Sequence, residues 1–378
     1  MHLFIPGPAG ADPKVLEALG GPIRPHYGAE FVAAYNLCRD RLRRLLRTDN
    51  DLYLIVGPGT AALDAAMASI LPDGARVLVA ANGLFGHRLA SMARAHRSQV
   101  EVLEFAPGEP IDAERVIERM RREPRPAAVV WVHHETSTGV LNPVEPIARA
   151  GRDLGVLSII DAISSLGGTE LDVGGWGVDI CVSVPNKVLA AAPGLAPISV
   201  SPQAWAAIDA NPDTRGWYLD LRTWRQYDAN WADWHPYPTT VPGGVLDALN
   251  TTLEQILEEG LERRIERTWQ AADRVRAALR GMGFSMFVPD EYASPITTAV
   301  HAHPELPVPE LVDTLRSRYG IYISGGLGDM ATGIFRIGHM GTAIESAEND
   351  LLLAAFEEIM QERGLVLQEQ SAGIEGAA

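Results

Sequence analysis

The sequence predicts an α/β fold, with a large domain on a mostly parallel sheet followed by a smaller C-terminal α+β domain. Three observations carry that expectation. The first 200 or so residues alternate short apolar, β-branched runs with amphipathic stretches, the pattern of parallel strands covered on both faces by helices. Residues 203–242 then break the alternation. A chain of 378 residues is also longer than one hydrophobic core usually spans, which favours two domains.

Strands are expected at Leu52–Val56, Arg76–Ala80, Val100–Phe105, Ala127–Val132, Val156–Ile160 and Asp179–Val184, each nearly continuous in apolar character. Helical stretches such as Thr60–Ile70, Ala113–Arg122 and Pro143–Leu154 lie between them. Residues 203–242 hold five of the eight tryptophans and several prolines, and read as an irregular connection over the surface. A long helix follows over Gly243–Met282, interrupted near Gly260. Beyond it, strands near Ser285–Val288, Thr297–His301, Ile321–Ser324 and Gly333–Ile337 mix with helices Pro309–Tyr319 and Ser346–Arg363. The expected division is an arm over 1–20, a large domain over 21–258, a small domain over 259–367 and a mobile tail over 368–378.

Composition narrows the partners. With 47% hydrophobic and 21% charged residues the chain reads as an ordinary soluble protein. A formal charge of −16 argues against non-specific binding to nucleic acid or to an anionic membrane, so an anionic substrate has to be gathered by local positive groups. No apolar run approaches the roughly 20 residues that span a bilayer, and Met1–Ala9 is too short in apolar residues for a signal peptide. A cytoplasmic location follows by default. Two cysteines, Cys38 and Cys181, cannot build a disulfide framework or a thiolate cluster.

Lys187 is the first residue that can carry chemistry. It follows an apolar strand, in a stretch with no other charge from Asp179 to Gln203. A solvated loop lysine is the ordinary reading, yet burial lowers a lysine pKa, and only the neutral amine attacks a carbonyl. Asp161 stands at the carboxyl end of the preceding strand, where parallel sheets bind ligands. Its 26-residue separation from Lys187 leaves room for one strand–loop–strand unit, which sets the two groups on neighbouring strand ends. Gly57-Pro58-Gly59-Thr60 joins a strand to a helix, and free N–H groups at a helix start can hold a phosphate. It is neither a dinucleotide fingerprint nor a P-loop. His133, His134 and His339 could be written as a metal cluster, but the first two are adjacent at a strand end and point to opposite sides. No metal is expected; each is read as a structural histidine or a substrate contact. His26-Tyr27-Gly28 could border the pocket.

Gly57-Pro-Gly-Thr, with Asn82-Gly-Leu-Phe-Gly-His-Arg, His134-Glu-Thr-Ser-Thr-Gly-Val-Leu-Asn-Pro, Asp161-Ala-Ile-Ser-Ser-Leu-Gly-Gly, Pro185-Asn-Lys and Phe335-Arg-Ile-Gly-His-Met-Gly, resembles the class V aminotransferases. The likeness runs from about Pro6 to Arg363 and is to the alanine–glyoxylate and serine–pyruvate aminotransferase group. It implies fold type I of the enzymes that use pyridoxal 5'-phosphate (PLP), and a homodimer with sites at the interface. It also implies roles. Lys187 is the Schiff-base lysine and proton carrier, and Asp161 binds the pyridine nitrogen. Gly59, Thr60 and Asn186 hold the phosphate, with Thr240 reaching it from the partner subunit. Phe85 stacks on the ring, Thr136 or Thr138 lies near the ring hydroxyl, and Arg336 clamps the substrate carboxylate. The implied reaction moves an amino group from an alanine- or serine-type donor to glyoxylate or pyruvate.

Departures are present. Pro58 replaces a common serine and has no N–H to offer a phosphate. Phe85 replaces a frequent tryptophan or tyrosine. Pro185-Asn-Lys, the His133-His134 pair and Arg336-Ile-Gly-His-Met-Gly are similar to pyridoxamine–pyruvate aminotransferase, which uses free pyridoxamine. Against that stand the loop Gly57–Thr60, where that relative has a glutamate, and Leu327, where it has a second arginine. A lyase on the same fold remains an alternative, since the same lysine and aspartate serve it. A cysteine desulfurase needs a mobile-loop cysteine, whereas Cys38 and Cys181 fall in an expected helix and strand. A PLP-fold binding module is weakened by the intact Lys187, Asp161 and Arg336.

Overall fold

The computed structural model describes residues 1–365; the tail expected over 368–378 lies outside the described residues. After a two-residue arm strand, β1 (His2–Leu3), the chain lays down β2 (Asp51–Val56), β3 (Arg76–Ala81), β4 (Gln99–Glu104) and β5 (Ala128–Val132). A small hairpin follows, β6 (His134–Glu135) with β7 (Val140–Leu141), and then β8 (Leu157–Asp161), β9 (Ile180–Val182) and β10 (Leu195–Val200). Seven of these form the central sheet in the order β2-β10-β9-β8-β5-β3-β4. The pairs β3–β4, β3–β5, β5–β8 and β8–β9 are parallel, and β10 alone runs antiparallel to both its neighbours.

Burial explains the apolar runs. Every residue of β5 and β10 is buried, because helices cover both faces of the central strands. Edge strand β4 instead exposes Gln99, Glu101 and Glu104, charges and amides that discourage pairing with another chain. Each buried Val or Ile contributes on the order of 2 kcal/mol by leaving water. Helix Ala113–Arg121 begins where the Asp112 side chain accepts the Arg115 N–H at 3.2 Å. The long helix breaks where expected: Gly243–Glu259 ends and Leu261–Gly281 begins at Gly260, whose φ of +90° no helix can continue.

Two expectations are corrected here, and one strand was not foreseen. Residues 203–242 are not wholly irregular, since they contain most of helix Pro202–Ala210 and all of Leu221–Asn230, capped by the side chains of Ser201 and Asp220. Strand β10 was hidden by Pro197 at its centre, which reads as a loop in sequence. The strand expected at Ser285–Val288 is reduced to a single bridge between Met286 and Val300.

The C-terminal part has its own sheet, β11 (Thr297–His301), β14 (Ile334–Gly338) and β13 (Ser324–Gly325), all antiparallel. Its neighbour β12 (Ile321–Tyr322) leaves that sheet to pair in parallel with β1, so the expected strand Ile321–Ser324 is split in two. Phe284, Phe335, Phe356, Val275 and Leu279 centre a hydrophobic core separate from the one under the large sheet. No described helix is long and apolar enough to cross a membrane.

Candidate active site

In a parallel sheet, every segment that follows a strand opens on the same edge, and here five converge. The segments after β2, β3, β5 and β9, and the last residue of β8, bring Gly59, Phe85, Thr136, Lys187 and Asp161 to one cavity of about 240 Å³. Asp161 ends β8 opposite Val182 of β9, and Lys187 follows in the loop after β9, so both stand on neighbouring strand ends.

Lys187 is half-buried, and its amine donates to the Pro6 carbonyl at 2.5 Å. Burial lowers its pKa to about 8; the Arg336 charge pushes the same way, and Asp161 opposes both. Asp161 is 6% exposed. Burial raises its carboxyl to about 7, against the Ile163 N–H, which donates to it at 2.9 Å. No basic side chain is in hydrogen-bond contact with Asp161 among the described residues.

Helix Gly59–Ile70 points its start at this cavity. Pro58 is its N-cap and no side chain caps it among the described residues, so the first-turn N–H groups and the helix dipole favour an anion there. Gly59 has no room for a side chain: a Cβ would lie 2.6 Å from both Ile163 Cδ1 and Val184 Cγ1. Asn186 lines the same cavity.

Phe85 is held from behind. Its N–H and that of Gly86 donate to Glu135 Oε2, each at 3.1 Å, while Ser137 donates its N–H and hydroxyl to Oε1 at 3.0 and 2.5 Å. Four donors satisfy a carboxylate that is fully buried and whose pKa burial raises. The Arg88 guanidinium lies 4.7 Å from the centre of the Phe85 ring and also lines the cavity. The sequence reading gave Glu135 and Arg88 no role, although both sit inside its motifs.

Arg336 stands in the middle of β14 and is 5% exposed. Nε donates to the Gly325 carbonyl at 3.0 Å and Nη1 to the Thr136 carbonyl at 2.7 Å, with no carboxylate at ion-pair distance among the described residues. Burial lowers its pKa to about 10, so it stays charged at neutral pH. The contact to Thr136 brings it against the cavity wall, since Thr136 lines the cavity.

The remaining candidates separate. Thr138 lies behind the wall, its hydroxyl donating to the Glu135 carbonyl at 3.3 Å. Thr240 is exposed, outside the cavity, with Oγ1 3.4 Å from His26 Nε2. His134 lines the cavity and its Nδ1–H donates to the Ser164 carbonyl at 3.0 Å, whereas His133 meets Ser165 Oγ at 3.0 Å. Burial lowers the two to about 3 and about 4, which keeps both rings neutral.

Comparison with known proteins agrees with this geometry. The family model for class V aminotransferases matches residues 17–329. An uncharacterized aminotransferase of Methanocaldococcus jannaschii is 36% identical over 99% of this chain and 96% of its own. The pyridoxamine–pyruvate transaminase of Mesorhizobium japonicum is 32% identical over 89% of this chain and 85% of its own. The crystal structure of an alanine–glyoxylate aminotransferase from Nostoc sp. superposes with a TM-score of 0.90 at 30% identity, covering 95% of this chain and 94% of that one. An uncapped helix start, a lysine and an aspartate on adjacent strand ends, and these relatives lead to one conclusion: the chain belongs to the class V aminotransferase family and is a PLP-dependent transaminase.

Proposed function

We propose that this enzyme moves an amino group from a small amino acid of the alanine or serine type to a small 2-oxo acid, glyoxylate or pyruvate. The observation that carries the reading is the gathering of Lys187, Asp161 and an uncapped helix start around one cavity. Those residues fit the cofactor. The first turn of helix Gly59–Ile70, with Thr60 and Asn186, suits a phosphate, although Pro58 withholds one donor. Asp161, buried and without a basic hydrogen-bond partner, suits a cationic ring nitrogen. Phe85 offers a flat apolar wall.

When bound, the cofactor supplies a carbonyl that condenses with amines and a ring that withdraws electrons from the carbon beside the new nitrogen. Lys187 takes and returns the proton, and burial has already moved its pKa close enough to neutrality for both. Asp161 would pair its carboxylate with the ring nitrogen and so keep that nitrogen protonated. Arg336 takes the substrate carboxylate through two parallel charge-assisted bonds and fixes its orientation. A single clamp of this kind favours monocarboxylic substrates. Thr136, which lines the cavity, is the residue assigned to the ring hydroxyl. Thr240, exposed and outside its own chain's cavity, is assigned to the phosphate of a second copy, so the working form is a cytoplasmic homodimer.

Absorbance spectra test the reading. Purified protein with PLP should show a visible cofactor band that Lys187→Ala removes and that L-alanine or L-serine bleaches. Protein that takes up no PLP would sink it. Turnover that continues without any 2-oxo acid would instead identify a lyase. Because a relative that uses pyridoxamine is 32% identical, bleaching by free pyridoxamine and not by amino acids would establish the second reading.

A further inference from the structure

The arm segment Phe4–Ala9 connects the two halves of the site. The Phe4 N–H donates to the Tyr322 carbonyl at 2.8 Å, and the Phe4 carbonyl accepts from Gly338 at 2.6 Å, two positions after Arg336 on β14. A Cβ on Gly338 would lie 2.3 Å from the Ile5 carbonyl oxygen, so the arm is laid directly on that strand. At the other end the Ala9 N–H donates to the carbonyl of Asn186, the neighbour of Lys187, at 3.0 Å. Between these anchors the Gly7 N–H closes on the Ile5 carbonyl at 2.7 Å, a tight turn centred on Pro6 that the proline ring favours. That turn aims the Pro6 carbonyl at Lys187 Nζ, 2.5 Å away. Gly7, at φ +104°, passes so close that a Cβ would lie 2.4 Å from Lys187 Cδ and 2.5 Å from Nζ.

We propose that the arm is a positioning element for the lysine. The Pro6 carbonyl is the acceptor that holds the Lys187 amine whenever that amine is not bonded to the cofactor, and Gly7 is the residue that leaves space for it. This rests on the reading of Lys187 as the cofactor's lysine. A carbonyl can only accept, so it engages one N–H and thereby directs the rest of the amine. It also stabilises the ammonium more than the neutral amine, and so opposes the burial that lowers the lysine pKa. Backbone bonds anchor the arm on either side of this acceptor, and the lysine adds a third tie between them.

The test uses full-length, PLP-loaded enzyme converted to its aminated form by excess amino acid, which frees the lysine. Labelling of Lys187 by an amine-directed acylating reagent, quantified by peptide mass across pH, gives a midpoint. Gly7→Ala displaces the lysine from its acceptor and should lower that midpoint by about one unit, roughly tenfold faster labelling at a given lower pH. Gly10→Ala is the control: it disturbs the same arm, but its Cβ would meet Thr342 Oγ1 at 2.4 Å and not the lysine. Its midpoint should stay at the wild-type value. A folded Gly7→Ala enzyme with an unchanged midpoint overturns the proposal. If Gly7→Ala does not fold, hydrogen exchange in the peptide 4–10 decides, compared between wild type and Lys187→Ala. Loss of the lysine should speed exchange there about fivefold or more. Unchanged exchange in a variant that has lost the visible band removes the arm's role and leaves the assignment of Lys187 standing.

Discussion

Lys187 and Asp161, on the edge of the large sheet, contrast with Arg336, inside a strand of the small one. All three are drawn out of water, and burial is the leading influence on each. It brings the amine down to about 8 and the carboxyl up to about 7, so both can change charge near neutral pH. The guanidinium falls only to about 10 and keeps its charge; the carbonyls of Gly325 and Thr136 take two of its five N–H donors and leave the rest for a ligand. In the proposed reaction one region handles protons, and the other holds a permanent charge that grips a carboxylate. The difference follows from side-chain chemistry: the same desolvation that tunes a lysine cannot deprotonate an arginine at working pH.

Substitutions can break that division. Lys187→Ala should lower turnover about a thousandfold or more, since it removes the proton carrier outright. Single-turnover absorbance would check this, and a loss below tenfold would move the proton task elsewhere. Asp161→Asn should cost about a hundredfold in kcat, because an amide cannot hold the ring nitrogen's proton as a carboxylate does. Arg336→Lys keeps the charge but loses the fork, and should lower kcat/KM about thirtyfold, an effect of about 2 kcal/mol. Most of that loss should appear in KM; a loss confined to kcat would assign Arg336 to the chemistry instead.

Much of this was legible in the sequence because it was local. Six strand expectations and the helices between them came from runs whose period and composition report burial on both faces, and Asp161 and Lys187 fell out of strand-end logic. What escaped was set by distant contacts. Pro197 hides β10 because a proline reads as a break unless its neighbours are known. Thr136 and Thr138 are indistinguishable in sequence, yet only Thr136 faces the cavity, because Thr138 turns back to the Glu135 carbonyl. The Pro6 carbonyl has no sequence signature at all: it meets Lys187 across 181 positions of chain. Gly7 is its one trace, visible only once the lysine stem is in place.

A milder probe is pH. In the aminated enzyme Lys187 must be neutral to accept a proton, so kcat/KM for the 2-oxo acid should rise about tenfold per unit below pH 8 and level off above it. The KM contribution of Arg336 should stay flat across the same range, since its pKa of about 10 lies outside it. A rise carried by KM would merge the two regions that the structure keeps apart.

The last effect concerns stability and leaves turnover aside. His339 is fully buried; its Nε2 shares a 2.8 Å hydrogen bond with the Thr298 hydroxyl, which also accepts from Arg276 Nε at 3.1 Å. Burial lowers this ring from 6.5 to about 3. Its folded pKa is depressed, so below pH 6.5 the unfolded chain takes up a proton that the folded chain refuses, and stability falls as pH falls. His133 and His134 act in the same direction. Asp161 acts oppositely, because its raised pKa gives stability at low pH that is lost as pH rises through about 7. Comparing His339→Asn with wild type cancels Asp161 and the other two histidines. Between pH 6.5 and 5 the wild type should lose about 2 kcal/mol more than the variant, read as a shallower acid slope of the melting temperature. Equal slopes would mean that the folded protein admits a proton at His339, and that the ring next to the Arg336 strand is less sealed from water than its burial indicates.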